Sequence, residues 1–358
     1  MNLRALNRKK NLALRAFKAK VAKSVFDSKN TNVFKKENVS IIKKICFLRN
    51  DNKIGDMIVA TSVFKEFKKA IPNVEISVVT GPSCKSIVLH NPNVNKIFVY
   101  KRNLRAIYKL GKTLQQEHFD LYIDMDKENT FESLFLLWLT KPKYAFGFNR
   151  QNYKMYNITC DFDFNKHHIT EWYQQLFNCL GLDSYTNLSY ELFLSEQEEN
   201  NAKMFLQSLP SRPTILINAF AGSQQRCLTV EQIQTLVKNL KDYNCVLIGP
   251  KNRMQNFISN VDWPSNFYHS PFDFSLYDIF ALIKLADLLI SPDTSYVHAA
   301  SAFNTKQVAI YNKDDVINTL VWKPLGDNSH LVYATYPYSL WNTQDFVREI
   351  EKNVKAIV

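Results

Sequence analysis

The sequence lacks an apolar run long enough to cross a bilayer. Its longest such stretches, SLFLLWL at 133–139 and FALIKLADLLI at 280–290, are too short or too interrupted. The N-terminus is basic, but it has no continuous apolar h-region and no small-residue cleavage site, which argues against secretion. We therefore expect no transmembrane helix and a cytoplasmic location.

Paired cysteine spacing is also missing. The six cysteines are scattered without a CxxC motif (Cys46, Cys84, Cys160, Cys179, Cys227 and Cys245). Several of them lie inside apolar, strand-like segments. This pattern predicts reduced, buried packing residues, as in a cytoplasmic protein.

Several catalytic signatures are absent as well. There is no GxGxxG, GxxxxGK[ST], HExxH or GxSxG, so hydride transfer, P-loop hydrolysis, zinc proteolysis and serine-hydrolase chemistry lack their motifs. The DMD at 124–126 resembles a metal-binding DxD, but it ends a predicted strand, and we expect no metal there. Without a zinc pattern or an aromatic stacking motif, we also expect no nucleic-acid partner.

The chain is rich in apolar residues and uneven in charge. A length of 358 residues with 46% hydrophobic content favours two domains. Residues 1–44 hold 13 Lys and Arg against Asp27 and Glu37, so this segment carries +11 of the net +12. The rest of the chain is nearly neutral.

The basic segment has the pattern of an amphipathic helix. Leu14, Phe17, Val21 and Val25 recur three or four residues apart, with lysines and an arginine between them. Such a helix suits an anionic membrane surface, where each cation adds about 1 kcal/mol. The alternatives are a solvated arm and a helix that packs on the body by its apolar stripe.

Strand and helix patterns alternate along the remaining chain. This rhythm is typical of parallel sheets with right-handed crossovers, and it occurs twice. We predict an α/β fold with two Rossmann-like domains facing an interdomain cleft. The predicted strands are 41–49, 74–80, 96–100, 120–125, 214–220, 244–249, 288–291 and 306–311, and the first crossover helix is 56–70.

This pattern divides the chain into four segments. They are a basic arm at 1–40, an N-terminal domain at 41–190, a C-terminal domain at 205–335 and an amphipathic helix at 340–358. A linker near 185–212 joins the domains. In two-domain folds of this type the last helix often crosses back, so we expect it to pack on the first domain.

Asp56 lies where a buried strand has ended and a helix begins (NDNKIGDMIVATSVFKEF, 50–67). Open α/β sheets bind ligands beyond the carboxyl ends of their strands. A helix N-terminus favours an anion there by about 0.3–1 kcal/mol. An ionised carboxylate at the mouth of a cleft can accept a proton from an attacking hydroxyl. A general base is therefore one interpretation of Asp56, and a helix cap is the other.

The segment SPDTSYVHAASAF (291–303) offers an anion-binding helix end. Thr294 and Ser295 precede or open the helix, where hydroxyls and free N–H groups suit a diphosphate. Asp293 can hold a ribose or sugar hydroxyl, or orient neighbouring hydrogen-bond donors. His298 faces the cleft or is a packing histidine.

A second candidate loop, AFAGSQQRCLTVEQ (219–232), follows another predicted strand. It contains Ser223 and Arg226. The guanidinium can pair with phosphate oxygens and neutralise charge on a leaving diphosphate; a solvated arginine is the alternative.

Two of these segments resemble glycosyltransferase family 9, the bacterial heptosyltransferases. They are IGDMIVATSVFKEFKKAIPNVEISVVT (54–80) and LIKLADLLISPDTSYVHAASAF (282–303). The first family motif is an Ile-Gly-Asp loop leading into a helix, then a Pro and a strand. The second is an alanine-rich helix, a strand, Asp-Ser/Thr-Gly and a following His. The match covers most of residues 41–325 in order and spacing.

The resemblance implies a GT-B fold, with the acceptor bound mainly by the first domain and the donor by the second. It implies inverting transfer of heptose from ADP-heptose to the inner core of lipopolysaccharide, with no essential metal or other cofactor. It also implies a lipid-linked core oligosaccharide acceptor, embedded in the inner face of the inner membrane. The basic arm at 1–40 is longer than the family pattern leads us to expect, but a membrane-binding arm agrees with such an acceptor.

The same resemblance implies roles for individual residues. Asp56 matches the general base. The donor-binding residues are Ser223, Arg226, Phe274, Asp293, Thr294, Ser295 and His298, with Arg226 on phosphate, Phe274 on adenine and Asp293 on the donor sugar.

Four departures from the family pattern leave other functions open. Ser295 replaces the usual Gly, Tyr296 the usual Pro and Leu228 the usual Trp, and the loop GPKNRM (249–254) lacks a Glu that often holds the ribose. The alternatives are a glycosyltransferase with a different nucleotide sugar, a GT-B-like sugar-nucleotide epimerase, and a membrane- or nucleic-acid-binding protein with a silent body.

Overall fold

The computed structural model describes residues 3–182 and 188–357. The chain divides into two compact units, Met1–Leu188 and Ser189–Val358. Part of the predicted linker, residues 183–187, lies outside the described residues, as do residues 1, 2 and 358.

The first unit contains a six-stranded parallel sheet in the order β3-β2-β1-β4-β5-β6. Its strands are β1 (Lys44–Arg49), β2 (Glu75–Thr80), β3 (Lys96–Val99), β4 (Leu121–Asp124), β5 (Tyr144–Phe148) and β6 (Ile158–Cys160). Its helices are α1 (Leu3–Phe26), α2 (Ile54–Ala60), α3 (Ser62–Ala70), α4 (Lys85–Leu89), α5 (Leu104–Gln116), α6 (Phe131–Thr140) and α7 (Ile169–Leu180).

Strand β1 is buried on both faces, as its apolar run predicts. Phe47 packs edge-on against Phe64 and Phe67 of α3 on one face. Cys46 and Leu48 point the other way, into a core shared with α5 and α6. A strand covered by helices on both sides is the usual centre of a doubly wound sheet.

The second unit repeats this design, with the order β12-β11-β10-β7-β8-β9. Its strands are β7 (Thr214–Asn218), β8 (Asn244–Ile248), β9 (Phe267–His269), β10 (Leu288–Pro292), β11 (Gln307–Asn312) and β12 (Ser329–Ala334). Its helices are α8 (Glu196–Gln207), α9 (Val230–Asn239), α10 (Lys251–Ile258), α11 (Leu276–Leu285), α12 (Ser295–Phe303), α13 (Val316–Trp322) and α14 (Thr343–Ile357). Numbered from its own first strand, each sheet has the order 3-2-1-4-5-6 of a Rossmann fold.

The predicted helix 56–70 is two helices that meet at Thr61. The Thr61 hydroxyl donates to the carbonyl of Ile58 at 2.6 Å, and the Ser62 hydroxyl donates to that of Val59 at 2.8 Å. Hydroxyls that bond to the backbone in this way compete with regular helix geometry. The apolar spacing predicted the helical segment but not this interruption.

The last helix belongs to the core of the second unit, whereas the prediction assigned it to the first. The apolar face of α14 packs on α9 and on β11 and β12 of the second unit. Phe346, Val347, Ile350 and Val354 belong to that unit's hydrophobic core. The amphipathic pattern predicted that this segment is helical. It did not indicate which sheet the apolar face of the helix would cover.

The prediction that all six cysteines are reduced is wrong for two of them. Cys160 of β6 and Cys179 of α7 form a disulfide, because β6 packs against α7 and brings them together. The other four are free and buried, as predicted (Cys46, Cys84, Cys227 and Cys245).

The basic arm is helical, and its C-terminal part packs on the first unit. Ala22 is fully buried, and Phe26 stacks on Phe135 with ring centroids 4.9 Å apart. The stripe singled out from the sequence points elsewhere, since Leu14, Phe17, Val21 and Val25 are all exposed. Among the helices of residues 3–182 and 188–357, none combines the length and apolar character that a membrane crossing requires.

Candidate active site

The candidate residues cluster at one kind of position in each sheet. In a doubly wound sheet the crossovers diverge to opposite sides between the first and fourth strands, and this opens a crevice at their carboxyl ends. In the first unit these strands are β1 and β4, and in the second they are β7 and β10. The loops that follow these four strands carry most of the predicted site residues.

Asp56 lies in the first turn of α2, directly beyond β1. The helix N-cap is Lys53, and within the described chain no side chain caps this helix end, so Asp56 is not the cap. Its Oδ2 accepts a hydrogen bond of 2.6 Å from Arg49 Nη2, and Lys53 Nζ lies 3.6 Å away. Among the described residues, none hydrogen-bonds to Oδ1 of this carboxylate.

Arg49, the last residue of β1, links three groups of the site. Nη2 also donates to Asp51 Oδ2 at 3.1 Å, and Nη1 donates to the carbonyl of Met125 at 3.3 Å. The residue is 4% exposed. Burial alone lowers the pKa of Arg49, but the charges of Asp56 and Asp51 raise it above its ordinary value. Arg49 is therefore a permanent, immobilised cation beside Asp56.

The DMD segment lies at the end of β4, next to Arg49. Asp124 is fully buried and accepts a 2.6 Å hydrogen bond from the Tyr156 hydroxyl. The N–H of Asp126 donates to Asp124 Oδ1 at 3.0 Å, and its carbonyl accepts from Arg150 Nη2 at 2.9 Å. Burial, followed by the charge of Asp124, raises the pKa of Asp126 to about 8. These contacts are those of a structural polar network, and in residues 3–182 and 188–357 no group of three metal-ligating side chains occurs.

In the second unit, Arg226 and Asp293 form an ion pair. Arg226 Nη1 donates to Oδ2 of Asp293 at 3.1 Å and to its backbone carbonyl at 2.9 Å. Asn318 Nδ2 donates to the same Oδ2 at 3.1 Å. The sequence predicted that both residues contact the donor, but it did not predict that they pair with each other.

Thr294 is the N-cap of α12, which begins at Ser295, where the helix start was predicted. Its Oγ1 accepts from the N–H of Tyr296 at 3.4 Å and lies 3.1 Å from Ser291 Oγ. Asn218, at the end of β7, donates to both hydroxyl oxygens, at 3.0 Å to Ser291 and 3.4 Å to Thr294. The loops after β7 and β10 are thus joined, and the half-buried Ser295 opens the helix.

His298 is buried in a ring cluster. Its ring centroid lies 6.1 Å from that of Tyr190 and 6.2 Å from that of Trp322. Burial lowers the pKa of His298, and the charge of Asp293 opposes this shift only in part. These surroundings match the packing alternative for His298, and its proposed donor contact stays a prediction.

The remaining predicted donor residues lie in loops of the second unit. Ser223 precedes the turn that carries Arg226. Phe274 lies just before the N-cap of α11, 6.0 Å edge-on from Phe205. In the loop that lacks the expected Glu, Arg253 lies over the Phe220 ring at 4.9 Å and donates to the carbonyl of Ala221 at 2.8 Å.

Sequence reasoning missed Arg49, Asn218, Arg253 and Asn318. Arg49 carried a detectable signal, because a cation directly after the apolar run ICFL (45–48) must find a counter-ion when it is buried. The two asparagines carried none, since the pairing of polar residues across loops leaves no periodic pattern.

These features define a class of protein. Two Rossmann-like units, one with a carboxylate at its switch point and one with an arginine beside a helix N-terminus, are the features of a GT-B fold. The family model for glycosyltransferase family 9 (heptosyltransferase) matches residues 107–348. The chain therefore belongs to glycosyltransferase family 9, the heptosyltransferases that act in lipopolysaccharide core synthesis.

Individual relatives agree with this assignment at low identity. A protein of Escherichia coli (strain K12) named as a candidate lipopolysaccharide heptosyltransferase 4 is 23% identical, with 98% of each chain covered. A family 9 glycosyltransferase from Veillonella parvula has a similar structure, with a TM-score of 0.75, 15% identity and coverage of 88% of this chain and 98% of that one. The E. coli heptosyltransferase WaaC with ADP-2-deoxy-2-fluoro heptose gives a TM-score of 0.66, 16% identity and coverage of 87% and 99%.

The raised pKa of Asp126 predicts a pH-dependent stability difference. An unfolded Asp titrates near pH 4, so the wild-type carboxyl takes up a proton on folding between about pH 4 and about pH 8. Because the folded state binds more protons, this residue's contribution to stability falls as pH rises through that window. Asp126→Asn has no such dependence.

Thermal unfolding at pH 5, 6, 7 and 8 measures the effect. The Tm of Asp126→Asn minus that of the wild type is expected to increase steadily with pH. A difference that stays constant or decreases contradicts the raised pKa of Asp126.

Proposed function

We propose that this protein transfers a heptose from ADP-heptose to a lipid-linked core oligosaccharide, with inversion at the transferred carbon. Family membership supports the reaction class. The WaaC complex with an ADP-heptose analogue supports the choice of donor by similarity. The observation that carries the mechanism is the paired but accessible carboxylate of Asp56.

Asp56 is the proposed general base. Arg49 engages Oδ2, which leaves Oδ1 to accept the proton of the acceptor hydroxyl. As the hydroxyl oxygen bonds to the anomeric carbon, the proton passes to Oδ1. The bond from that carbon to the diphosphate breaks, and the electron pair leaves with ADP. Attack from the face opposite the leaving group inverts the centre.

The second unit is the proposed donor site. Thr294 and Ser295 place hydroxyls and the N-terminus of α12 where a diphosphate gains hydrogen bonds and a favourable dipole. Arg226 uses Nη1 on Asp293, so its other guanidinium nitrogens serve the phosphates, with Ser223 in the same loop. Asp293, held by Arg226 and Asn318, presents its carboxylate to a hydroxyl of the donor sugar.

Two further donor contacts complete this proposal. Phe274, which packs on Phe205, covers one face of the adenine. His298 is buried, and we place it behind the diphosphate, where it supports the N-terminus of α12 by packing.

A different nucleotide sugar is the second candidate, and one observation favours it. Where the family often has a ribose-binding Glu, this loop presents Arg253, which is committed to Phe220 and Ala221. The ribose then lacks its usual carboxylate partner. Calorimetry with ADP-, UDP- and GDP-sugars decides between the donors.

The role of Asp56 predicts a selective loss of turnover. Asp56→Asn keeps the size and a hydrogen-bonding oxygen but cannot take the proton, so kcat is expected to fall by about 10²–10⁴. The donor dissociation constant, measured by calorimetry, is expected to stay within about threefold because the proposed donor residues lie in the second unit.

Asp51→Asn is the matched control, because Asp51 also accepts a hydrogen bond from Arg49 but lies outside the helix that presents Asp56. Its kcat is expected to exceed that of Asp56→Asn by tenfold or more. An Asp56→Asn enzyme with wild-type turnover removes Asp56 from the mechanism.

We also propose that α1 holds the enzyme on the anionic inner face of the inner membrane. The stripe formed by Leu14, Phe17, Val21 and Val25 is exposed, and the neighbouring face of the helix packs on the body. Exposed lysines at 10, 18 and 20 accompany the stripe. Apolar burial plus attraction to anionic lipid is the combination that binds an interfacial helix.

The proposed membrane helix predicts binding to vesicles. Phe17 and Val25 are each 64% exposed, so replacing both by Glu removes apolar contact without opening the core. Cosedimentation with phosphatidylglycerol vesicles is expected to weaken at least about tenfold, since each buried apolar side chain contributes about 1.5–3 kcal/mol.

Val33→Glu is the control, because Val33 is 75% exposed but lies outside α1. It is expected to leave vesicle binding near the wild-type level. Equal binding by the wild type and the Phe17→Glu, Val25→Glu variant contradicts the membrane role of α1.

A further inference from the structure

An open apolar groove lies on the surface of the first unit, between α5 and α6. It has a volume of about 490 Å³, within the range of small-molecule sites. Its walls are Leu104, Arg105, Tyr108 and Lys109 of α5, and Phe131 and Phe135 of α6. None of the residues assigned to base or donor contacts above lines it.

The groove is made of residues that a soluble surface seldom leaves uncovered. Leu104 is 59% exposed and Tyr108 is 51% exposed, although both belong to a helix whose other face is buried. Leu104 and Tyr108 are four residues apart, so they lie on one face of α5. Together with Phe131 and Phe135 they give the groove an apolar lining of the kind that ligand sites use.

The charge around the groove selects an anionic occupant. Arg105 and Lys109 line it, and residues 101–116 contain no acidic residue but five cations (Lys101, Arg102, Arg105, Lys109 and Lys112). The acidic residue nearest in sequence on the other wall is Glu132, in the first turn of α6. An apolar floor with a mainly cationic rim is complementary to an acyl chain whose head group carries phosphate.

The position of the groove connects it to Asp56. Its lining residues come from the first two turns of α5 and α6, which follow β3 and β4. In a parallel sheet these turns lie at the carboxyl edge, and Asp56 lies at the same edge after β1. The proposed membrane helix is adjacent too, since Phe26 of α1 contacts both Phe131 and Phe135.

We propose that this groove binds an acyl chain of the lipid-anchored acceptor, with Arg105 and Lys109 against its phosphate groups. The inference rests on the proposed function for the identity of the acceptor. The groove holds the anchor at the edge of the sheet that presents Asp56, so the sugar end of the same molecule is presented to the base. A bulk membrane lipid is the competing occupant.

The first test compares two acceptors that differ only in their acyl chains. Leu104→Gln combined with Tyr108→Gln makes the groove polar, and both positions are exposed, so the fold is expected to be kept. The ratio of kcat/KM for the acylated acceptor to that for its deacylated form is expected to fall about tenfold. Leu340→Gln, at a site 81% exposed in the second unit, is the control and is expected to leave this ratio unchanged.

The second test needs no turnover. Dihexanoyl phosphatidic acid, used below the concentration at which it forms micelles, is titrated calorimetrically into the full-length wild type and the double variant. We expect saturable binding by the wild type and at least tenfold weaker binding by the variant. If heptose transfer fails with every acceptor but this difference persists, the proposed function is wrong and the lipid groove remains.

Two results overturn the proposal. One is that the double variant loses kcat/KM equally on the acylated and the deacylated acceptor, or loses it on neither. The other is loss of phosphatidylglycerol-vesicle binding by the groove variant with an unchanged acceptor ratio, which assigns the groove to bulk lipid.

Discussion

The hydrogen-bonded ion pair between Arg49 and Asp56 is the constraint on which the proposed chemistry depends. It joins the last residue of β1 to the first turn of α2 and leaves one carboxylate oxygen without a partner among the described residues. Because the guanidinium is buried, it has lost most of its hydration and is stable there only with its counter-ions. The fold therefore holds a carboxylate in place by satisfying a buried cation.

The same device occurs at the switch point of the second sheet. Arg226 follows β7 and bonds to Asp293 after β10, just as Arg49 ends β1 and bonds to the carbonyl of Met125 after β4. In each unit an arginine ties the loop of the first strand to the loop of the fourth. Crossovers diverge at this point of the sheet, so no helix covers it, and side-chain hydrogen bonds take over the task of fixing the loops.

The architecture could be predicted from the sequence because it follows from periodicity. Apolar strand runs such as 41–49 and 288–291, alternating with amphipathic helices, indicated two parallel sheets before any contact was known. The position of Asp56 and the start of α12 near Ser295 followed from the same pattern, since strand ends and helix starts locate the loops. The two motifs shared with family 9 supplied the reaction class.

Contacts between distant residues could not be predicted in this way. The Cys160–Cys179 disulfide, the Arg226–Asp293 pair and the packing of α14 on its own unit all depend on three-dimensional proximity. The pattern of a single amphipathic helix indicates that one face is buried, but it does not indicate which partner buries that face. His298 shows the same limit, because a histidine on a helix beside a site can point to ligand or to core, and here it packs among rings.

The most direct measurement is the turnover of Arg49→Met compared with that of Lys53→Met. Both substitutions remove a cation that contacts Asp56. Arg49 is buried, and its Nη2 lies 2.6 Å from Asp56 Oδ2. Lys53 is exposed, and its Nζ lies 3.6 Å from the same oxygen. We expect kcat to fall about 10²-fold for Arg49→Met, because a carboxylate misplaced by about 1 Å loses this much. Lys53→Met is expected to stay near wild type, since exposed ion pairs contribute little. If Arg49→Met folds, binds the donor normally and turns over like the wild type, the ion pair with Arg49 is not the constraint that holds the base in place.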